Sequence, residues 1–251
     1  MSKSTINLDI FFNPQFFVVE RRINLWYYRN TYDDKQKGVA MFQINDISKS
    51  YEKKQILNHI SFSADEGEAI GILGANGSGK STLLSCIAAV YSDSKECKVG
   101  YIPQENPLFD ELKPVDNIKM WCKMSKSDIL AALNCPPLNM MGISDFLNTP
   151  VKKMSGGMKK RLSLATVLIN NPQVLLMDEP FAALDLPAKQ DILYYMNQFL
   201  QQKGTIIVAS HDEDIFRFCS HVYLLKNGQL YDTEQLKNDG ISYIDMLRGT
   251  L

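Results

Sequence analysis

A glycine-rich stretch at positions 74–82, Gly-Ala-Asn-Gly-Ser-Gly-Lys-Ser-Thr, carries the clearest chemistry in the sequence. It fits the pattern G-x-x-x-x-G-K-[S/T], in which glycines let the backbone curl so that several N–H groups face one anion. The lysine of this pattern reaches phosphates, and the hydroxyl after it binds Mg²⁺. We therefore expect a phosphate-binding loop made of Gly74, Ala75, Asn76, Gly77, Ser78, Gly79, Lys80, Ser81 and Thr82.

Two adjacent carboxylates, Asp178 and Glu179, follow the apolar run at 174–177. Such a run predicts a strand buried on both faces, and α/β sheets place their ligands at the carboxyl ends of these strands. We expect Asp178 to bind Mg²⁺ together with Ser81, and Glu179 to polarise an attacking water as general base. An exposed loop carboxylate is the alternative.

A second glycine-rich helix entrance, Ser155-Gly156-Gly157, precedes another helical pattern. The free N–H groups at a helix start can bind an anion, but one helix end cannot surround a triphosphate. A two-fold dimer that presents the same patch on both partners would complete two sites.

Strands and helices alternate from Met41 onwards, which predicts an α/β fold with a mostly parallel sheet covered by helices on both faces. Buried strands are predicted at 68–74, 98–104, 173–180 and 205–211, and helices at 80–90, 115–124, 126–134 and 186–204. Asn227-Gly228 predicts a two-residue hairpin turn. Residues 1–40 are rich in aromatic side chains without a clear period, so they are either an N-terminal extension that packs on the core or a membrane partner, or an addition ahead of a natural start at Met41.

The composition is that of an ordinary globular protein, with 45% apolar residues and a formal net charge of −1. This charge provides no bulk attraction to nucleic acid, so no nucleic-acid partner is expected. The five cysteines include no C-x-x-C pair, which argues against a zinc site or a disulfide framework and fits a reducing cytosol. No run approaches the ~18 apolar residues of a membrane span.

The order of the motifs resembles the nucleotide-binding subunit of an ATP-binding-cassette (ABC) transporter. The resemblance covers roughly residues 42–235 and rests on GANGSGKST, Gln104, MSGGM at 154–158, VLLMDEP at 174–180, AALD at 182–185 and His211. It implies a P-loop fold of the ABC ATPase type within 41–251, with a small antiparallel β-subdomain and a helical signature subdomain at about 105–165. It also implies ATP and Mg²⁺ as ligands, and a head-to-tail dimer in which each signature closes over the nucleotide of the other copy.

The resemblance also implies roles for single residues. Tyr51 matches the aromatic that stacks on adenine, with a strand-end tyrosine as the alternative, and Gln104 matches the glutamine that senses Mg²⁺ and the attacking water. Asp185 matches the aspartate that bridges the dimer, and His211 matches the histidine that contacts the γ-phosphate and orients the general base. Contacts to the partner's nucleotide fall to Ser155, Gly156 and Gly157.

Three departures from the family pattern stand out. Met154 and Met158 replace the usual leucine and glutamine of the signature, which leaves that glutamine's contacts in doubt. Ala182 stands where serine is common. Only 24 positions separate Lys80 from Gln104, so we expect the antiparallel subdomain usually inserted there to be trimmed, and the 40 residues after His211 are too few for the regulatory domain of some importers.

These observations predict an ATP-hydrolysing subunit that drives transport through separate membrane subunits, at the cytoplasmic face of the membrane, with export favoured over import. The segment 105–124, with Phe109, Ile118, Met120 and Trp121, is the expected socket for a membrane subunit. The alternative is a soluble ABC-type ATPase, for example in iron–sulfur assembly. The sequence leaves the transported substrate and the choice between homodimer and heterodimer open.

Overall fold

The computed structural model describes residues 42–52, 54–92, 97–211 and 213–238. Residues 1–40, interpreted above as an N-terminal extension or as an addition ahead of Met41, lie outside these described residues. The elements are β1 (Phe42–Tyr51), β2 (Lys54–Ala64), β3 (Ala69–Leu73), α1 (Lys80–Tyr91), β4 (Val99–Ile102), α2 (Pro114–Trp121), α3 (Lys126–Leu133), α4 (Gly156–Leu168), β5 (Val174–Asp178), α5 (Leu186–Gln201), β6 (Thr205–Ser210), α6 (Glu213–Phe218), β7 (His221–Lys226), β8 (Gln229–Asp232) and α7 (Thr233–Asn238). Three short 3₁₀ segments lie between α3 and α4.

The main sheet has the strand order β4-β5-β6-β3-β7-β8, and every neighbouring pair is parallel except the hairpin β7–β8. Strands β3, β5 and β6 are buried along their whole length, as their unbroken apolar runs predict. Asn227 and Gly228 both have positive φ, 51° and 76°, which is the backbone of the tight turn expected there. The predicted α/β fold with a mostly parallel sheet is therefore confirmed.

The two faces of this sheet carry two separate hydrophobic clusters. In β3, Ile70 and Ile72 pack with α1 on one face, while Ala69 and Leu73 join the cluster that contains α4 and α5. This alternation follows from the two-residue period of a strand, which sends neighbouring side chains to opposite faces. Both faces of the central strand are therefore covered.

A small antiparallel sheet is formed by β1 and β2, before the glycine-rich loop. It joins the main sheet where the Asn58 N–H donates to the carbonyl of Gly228 at 2.8 Å. Between α1 and β4, the described residues contain no strand. The small antiparallel sheet thus consists of β1 and β2, and the second of these strands was not predicted from the sequence.

The helical region after β4 contains α2, α3 and the start of α4. Ile118 and Ile129 are fully buried in its core. The expectation that Ile118 contributes to an exposed socket is therefore wrong, because its side chain holds α2 onto the protein. Met120 on the same helix is 56% exposed, and the rings of Phe109 and Trp121 stack with centroids 6.2 Å apart.

Candidate active site

A pocket lies at the carboxyl ends of β3, β4, β5 and β6. It is lined by Tyr51, Ile56, Asn76, Gly77, Gly79, Lys80, Ser81, Thr82, Gln104, Asp178, Glu179 and His211. These residues come from the small sheet, the glycine-rich loop and the ends of three strands. Parallel strands bring such distant stretches together because their carboxyl ends share one edge of the sheet.

The glycine-rich loop adopts the curled backbone that the sequence predicts. Gly77 and Gly79 have positive φ values of 79° and 107°, where a side chain would be strained. A Cβ atom on Gly79 would also come within 2.9 Å of the Ile56 side chain. No side chain caps the start of α1, so its first N–H groups remain available at the pocket.

The side chain of Lys80 folds back onto the start of the glycine-rich loop. Its ammonium donates hydrogen bonds to the carbonyls of Gly74, at 2.8 Å, and Ala75, at 3.3 Å. It also lies 3.8 Å from the carboxylate of Glu179. Burial lowers the pKa of Lys80, while the nearby carboxylates of Glu179 and Asp178 act to raise it. Gly74, Ala75 and Ser78 form the base of the loop, and Ser78 N–H donates to the Ala75 carbonyl.

Asp178 ends β5 and is 2% exposed. Burial raises the pKa of its carboxyl group, and a hydrogen bond from the Ser81 hydroxyl acts in the opposite direction. Its Oδ1 atom is buried without a hydrogen-bond partner among the described residues. An acceptor oxygen left without a donor costs free energy, unless a ligand completes its coordination.

Glu179 takes a left-handed backbone conformation, with φ of 43°, directly after β5. Its two carboxylate oxygens have separate partners: Oε1 lies 2.9 Å from Nδ1 of His211, and Oε2 accepts a hydrogen bond from the Ser210 hydroxyl at 3.0 Å. The side chain is therefore held in one orientation by two residues at the end of β6. We call Lys80, Ser81, Asp178, Glu179 and His211 the strand-end cluster.

The signature residues Ser155, Gly156 and Gly157 do not line this pocket, and neither does Asp185. Ser155 accepts a hydrogen bond from Met158 N–H at the start of α4, and Asp185 accepts one from Ala188 N–H at the start of α5. We call Ser155 and Asp185 the helix-start pair. The two starts are neighbours, because a Cβ on Gly157 would lie 3.1 Å from Ala188 Cβ, and one on Gly156 would lie 3.4 Å from the Ala183 carbonyl.

Sequence reasoning missed two residues of the site, Ile56 and Ser210, and one buried cation beside it, Lys160. Ile56 lines the pocket from β2, and Ser210 holds Glu179, although its position directly before His211 could have signalled this. Lys160 is 3% exposed on α4, and no sequence signal separates it from the partly buried cations on either side, Lys159 and Arg161. Burial lowers the pKa of Lys160 to about 8, while the Asp178 carboxylate acts to raise it.

Comparison with known proteins decides the family. A family model described as ABC transporter matches residues 57–182. The ABC transporter ATP-binding protein MJ1023 of Methanocaldococcus jannaschii, which is uncharacterized, is 32% identical over 74% of this chain and 74% of its own length. This chain belongs to the ABC transporter family.

Two further ABC relatives are similar over most of the chain. The linearmycin resistance ATP-binding protein LnrL of Bacillus subtilis is 32% identical over 76% of this chain and 68% of its own length. The lantibiotic transport ATP-binding protein SrtF of Streptococcus pyogenes is 34% identical over 68% of this chain and 80% of its own length. The predicted membership as an ATP-binding subunit with ATPase activity is confirmed.

Solved structures confirm the ABC ATPase fold. An ATP-binding subunit of an ABC transporter superposes with a TM-score of 0.69 at 23% identity, over 81% of this chain and 96% of the other. The dimeric cassette MJ0796, in a post-hydrolysis state with ADP and Pi, superposes with a TM-score of 0.63 at 23% identity, over 75% of this chain and 95% of the other.

Proposed function

We propose that this ABC protein hydrolyses ATP as one half of a head-to-tail pair of cassettes and thereby drives a membrane transporter. The observation that carries this proposal is the division of its motifs between two surfaces. The strand-end cluster lines one pocket together with the glycine-rich loop, whereas the helix-start pair lies outside it. Each chain then contributes one of the two surfaces to each nucleotide.

Within the pocket, different groups bind the phosphates, stack on the base and activate the attacking water. The N–H groups of the loop and of α1, together with Lys80, bind the phosphates, and Tyr51 stacks on the adenine base. Tyr51 is 55% exposed at the pocket rim, and its ring already contacts the Lys49 ammonium 5.3 Å from the centroid. Glu179 accepts the proton of the water that attacks the γ-phosphate, and His211 orients its carboxylate.

A magnesium ion fits the residues beside the loop. Asp178 carries a buried oxygen for which the described part of the chain provides no hydrogen-bond donor, and the Ser81 hydroxyl bonds to the same carboxylate. Both are oxygen ligands of the kind that Mg²⁺ prefers, and Gln104 lines the same pocket. Bound there, the ion would neutralise the charge that develops on the phosphates. The protein's part is to present Ser81, Asp178 and Gln104 towards it.

The second cassette supplies the helix-start pair. Ser155 and the N–H groups of Gly156 and Gly157 bind the partner's nucleotide, and Asp185 bridges between the copies. Leu186, directly after Asp185, is 68% exposed, as expected of an apolar residue that a partner covers. The partner is a second copy of this chain or a related cassette.

The transporter itself requires membrane subunits. Among the described residues, none of the helices is both long enough and apolar enough to cross a bilayer. We place the membrane subunit on the stacked rings of Phe109 and Trp121 and on the exposed Met120, and the chain at the cytoplasmic face of the membrane. We propose export, supported by the relatives named for linearmycin resistance and lantibiotic transport.

A dimer-trapping experiment tests the proposed mechanism. The Glu179→Gln variant keeps every phosphate contact but cannot activate water, so it should form a stable dimer with two ATP when ATP and Mg²⁺ are present. Adding Ser155→Arg should leave monomers that still bind ATP, whereas adding Lys80→Ala should leave monomers that do not. Sizing by light scattering with labelled ATP measures both quantities. A dimer that survives Ser155→Arg contradicts the head-to-tail arrangement.

Purification of the native complex tests the transport role separately. A polytopic membrane protein should copurify with this chain, and Met120→Lys should weaken that association without changing the ATPase rate of the isolated subunit. Recovery with soluble partners alone contradicts the transport role and leaves the ATPase in place.

A further inference from the structure

Lys160 is a buried cation without a role in the site described so far. It lies in the second turn of α4, five positions after Ser155, and is 3% exposed. Its ammonium donates a hydrogen bond to the Pro103 carbonyl at 3.4 Å. The carboxylate of Asp178 lies close enough to interact with it electrostatically.

Burial of this charge costs stability. Moving an ammonium out of water is unfavourable unless a close partner compensates, and the single hydrogen bond to Pro103 is long. The pKa of Lys160 is lowered by burial in spite of the attraction to Asp178, so the charged form is disfavoured overall. The contacts of Lys160 therefore compensate only part of the cost of its burial.

The neighbours of Lys160 belong to the proposed catalytic machinery. Pro103 immediately precedes Gln104, which is exposed and lines the pocket. Asp178 is influenced by two buried cations, Lys80 from the glycine-rich loop and Lys160 from α4. The ammonium of Lys160 is thus where the signature helix meets the ends of β4 and β5.

We propose that Lys160 is a positioning residue that fixes the Pro103–Gln104 backbone relative to the Asp178 carboxylate. Because Lys160 and Ser155 lie on the same helix, it also connects the surface that serves the partner's nucleotide to the nucleotide pocket of its own chain. This inference rests on the proposed function, since it concerns the placement of Gln104 and Asp178 in ATP hydrolysis.

Steady-state ATPase measurements on three variants test the proposal. Lys160→Met keeps an unbranched side chain that is one atom shorter and removes its charge, so kcat should fall about tenfold or more while KM for Mg·ATP changes less than about twofold. Lys160→Arg should restore most of the rate. Lys159→Met is the matched control, because Lys159 is the adjacent cation but pairs with Asp110 at 3.3 Å, away from the pocket.

Hydrogen exchange distinguishes positioning from a structural role. In the Lys160→Met variant, the amides of the segment 103–108 should exchange faster; these are the amides of Gln104, Glu105, Asn106 and Leu108, because positions 103 and 107 are prolines without an N–H. The amides of 162–168 in α4 should stay protected, and the melting temperature should not fall. Loss of rate together with loss of α4 protection identifies a structural cation and overturns the proposal. A wild-type kcat in Lys160→Met overturns it as well.

Hydrogen exchange in the nucleotide-free chain distinguishes failure of the Lys160 proposal from failure of the proposed function. If the wild-type protein neither binds nor hydrolyses ATP, the proposed function fails, but faster exchange at 103–108 in Lys160→Met still supports the link from Lys160 to this segment. Unchanged exchange at 103–108 with normal ATP hydrolysis removes the Lys160 proposal alone.

Discussion

The strand-end cluster and the helix-start pair are both built from polar residues at the ends of regular elements, but their local bonding differs. At the strand ends, charged side chains from distant parts of the chain converge, and Asp178 retains a buried oxygen that has no partner within 42–52, 54–92, 97–211 and 213–238. At the helix starts, Ser155 and Asp185 accept hydrogen bonds from backbone N–H groups three residues ahead.

The two regions differ in whether their polar groups are satisfied without a ligand. A side chain that caps its own helix is satisfied without any ligand, and such a cap contributes about 1 kcal/mol. Converging buried charges are instead costly until a ligand compensates them. The start of α1 fits the same distinction, because no side chain caps it and its N–H groups face the pocket. This bonding supports our proposal that the strand-end cluster takes a ligand within its own chain and that the helix-start pair contacts a second cassette.

The largest expected effect comes from the strand-end cluster. Glu179→Gln should lower kcat for ATP hydrolysis about 10²- to 10⁴-fold, because the amide cannot accept the proton of the attacking water. ATP affinity, measured by calorimetry, should change little. A variant that retains more than a tenth of the wild-type rate would exclude Glu179 as general base.

A substitution in the helix-start pair should prevent pairing of the two cassettes, whereas Glu179→Gln should leave that pairing intact. Ser155→Arg should lower ATP hydrolysis about 10²-fold, because the bulky side chain blocks the second cassette and its N–H donors, a loss comparable to removing an oxyanion donor. ATP binding by the monomer should stay at the wild-type level. Ser155→Thr preserves a capping hydroxyl and serves as control. Full activity of Ser155→Arg would show that one chain suffices.

The free energy of unfolding should also distinguish the buried charge of Lys160 from the helix caps. Lys160→Met should raise the free energy of unfolding of the nucleotide-free chain by about 2 kcal/mol at pH 7. The pKa of Lys160 is lowered to about 8 in the folded chain, so between pH 8 and the ordinary lysine pKa of 10.5 the unfolded chain binds more protons. Wild-type stability then rises with pH, and the advantage of Lys160→Met should disappear by about pH 10.5.

Urea unfolding at several pH values measures this change. Lys159→Met is again the control, because Lys159 is 31% exposed and its removal relieves no burial. A Lys160→Met variant that is less stable than the wild type at pH 7 would assign Lys160 to the fold.

The smallest effect is expected at the pocket rim. Tyr51→Ala should raise the Kd for ATP about tenfold, since stacking of a base on an aromatic ring contributes ~1–3 kcal/mol. Tyr51→Phe keeps the ring and should bind as the wild type does. Equal affinity of Tyr51→Ala and wild type would support the interpretation as a strand-end tyrosine.

The fold was largely predictable because its signals are local. The unbroken apolar runs of β3, β5 and β6 predict buried strands, and Asn227-Gly228 predicts the hairpin. The strand β2 was missed although Ile60, Phe62 and Ala64 alternate with exposed residues. A register shift in the β1–β2 pairing separates Leu57 from Ile60 and interrupts this alternation in the first half of the strand. The exposure of Ile118 was misjudged, because a short helix does not reveal from its sequence which side faces the core.

In the site, the local backbone was predictable from the sequence, whereas contacts between distant residues were not. Backbone-determined features, such as the positive φ of Gly77 and Gly79, follow from residue type and spacing. The contact of Ser210 with Glu179 joins residues 31 positions apart, and only the pairing of β5 with β6 brings them together.

The sequence by itself determined the phosphate loop, the strand-end carboxylates and the capping serine of the signature helix, because each depends on neighbouring residues and a local backbone. The tertiary structure decided that Glu179 is held by Ser210 and His211, that Asp178 keeps an unpartnered oxygen, and that Lys160 is buried beside Pro103. Burial and electrostatic interaction depend on which distant elements pack against a group, and such contacts leave no periodic pattern in the chain.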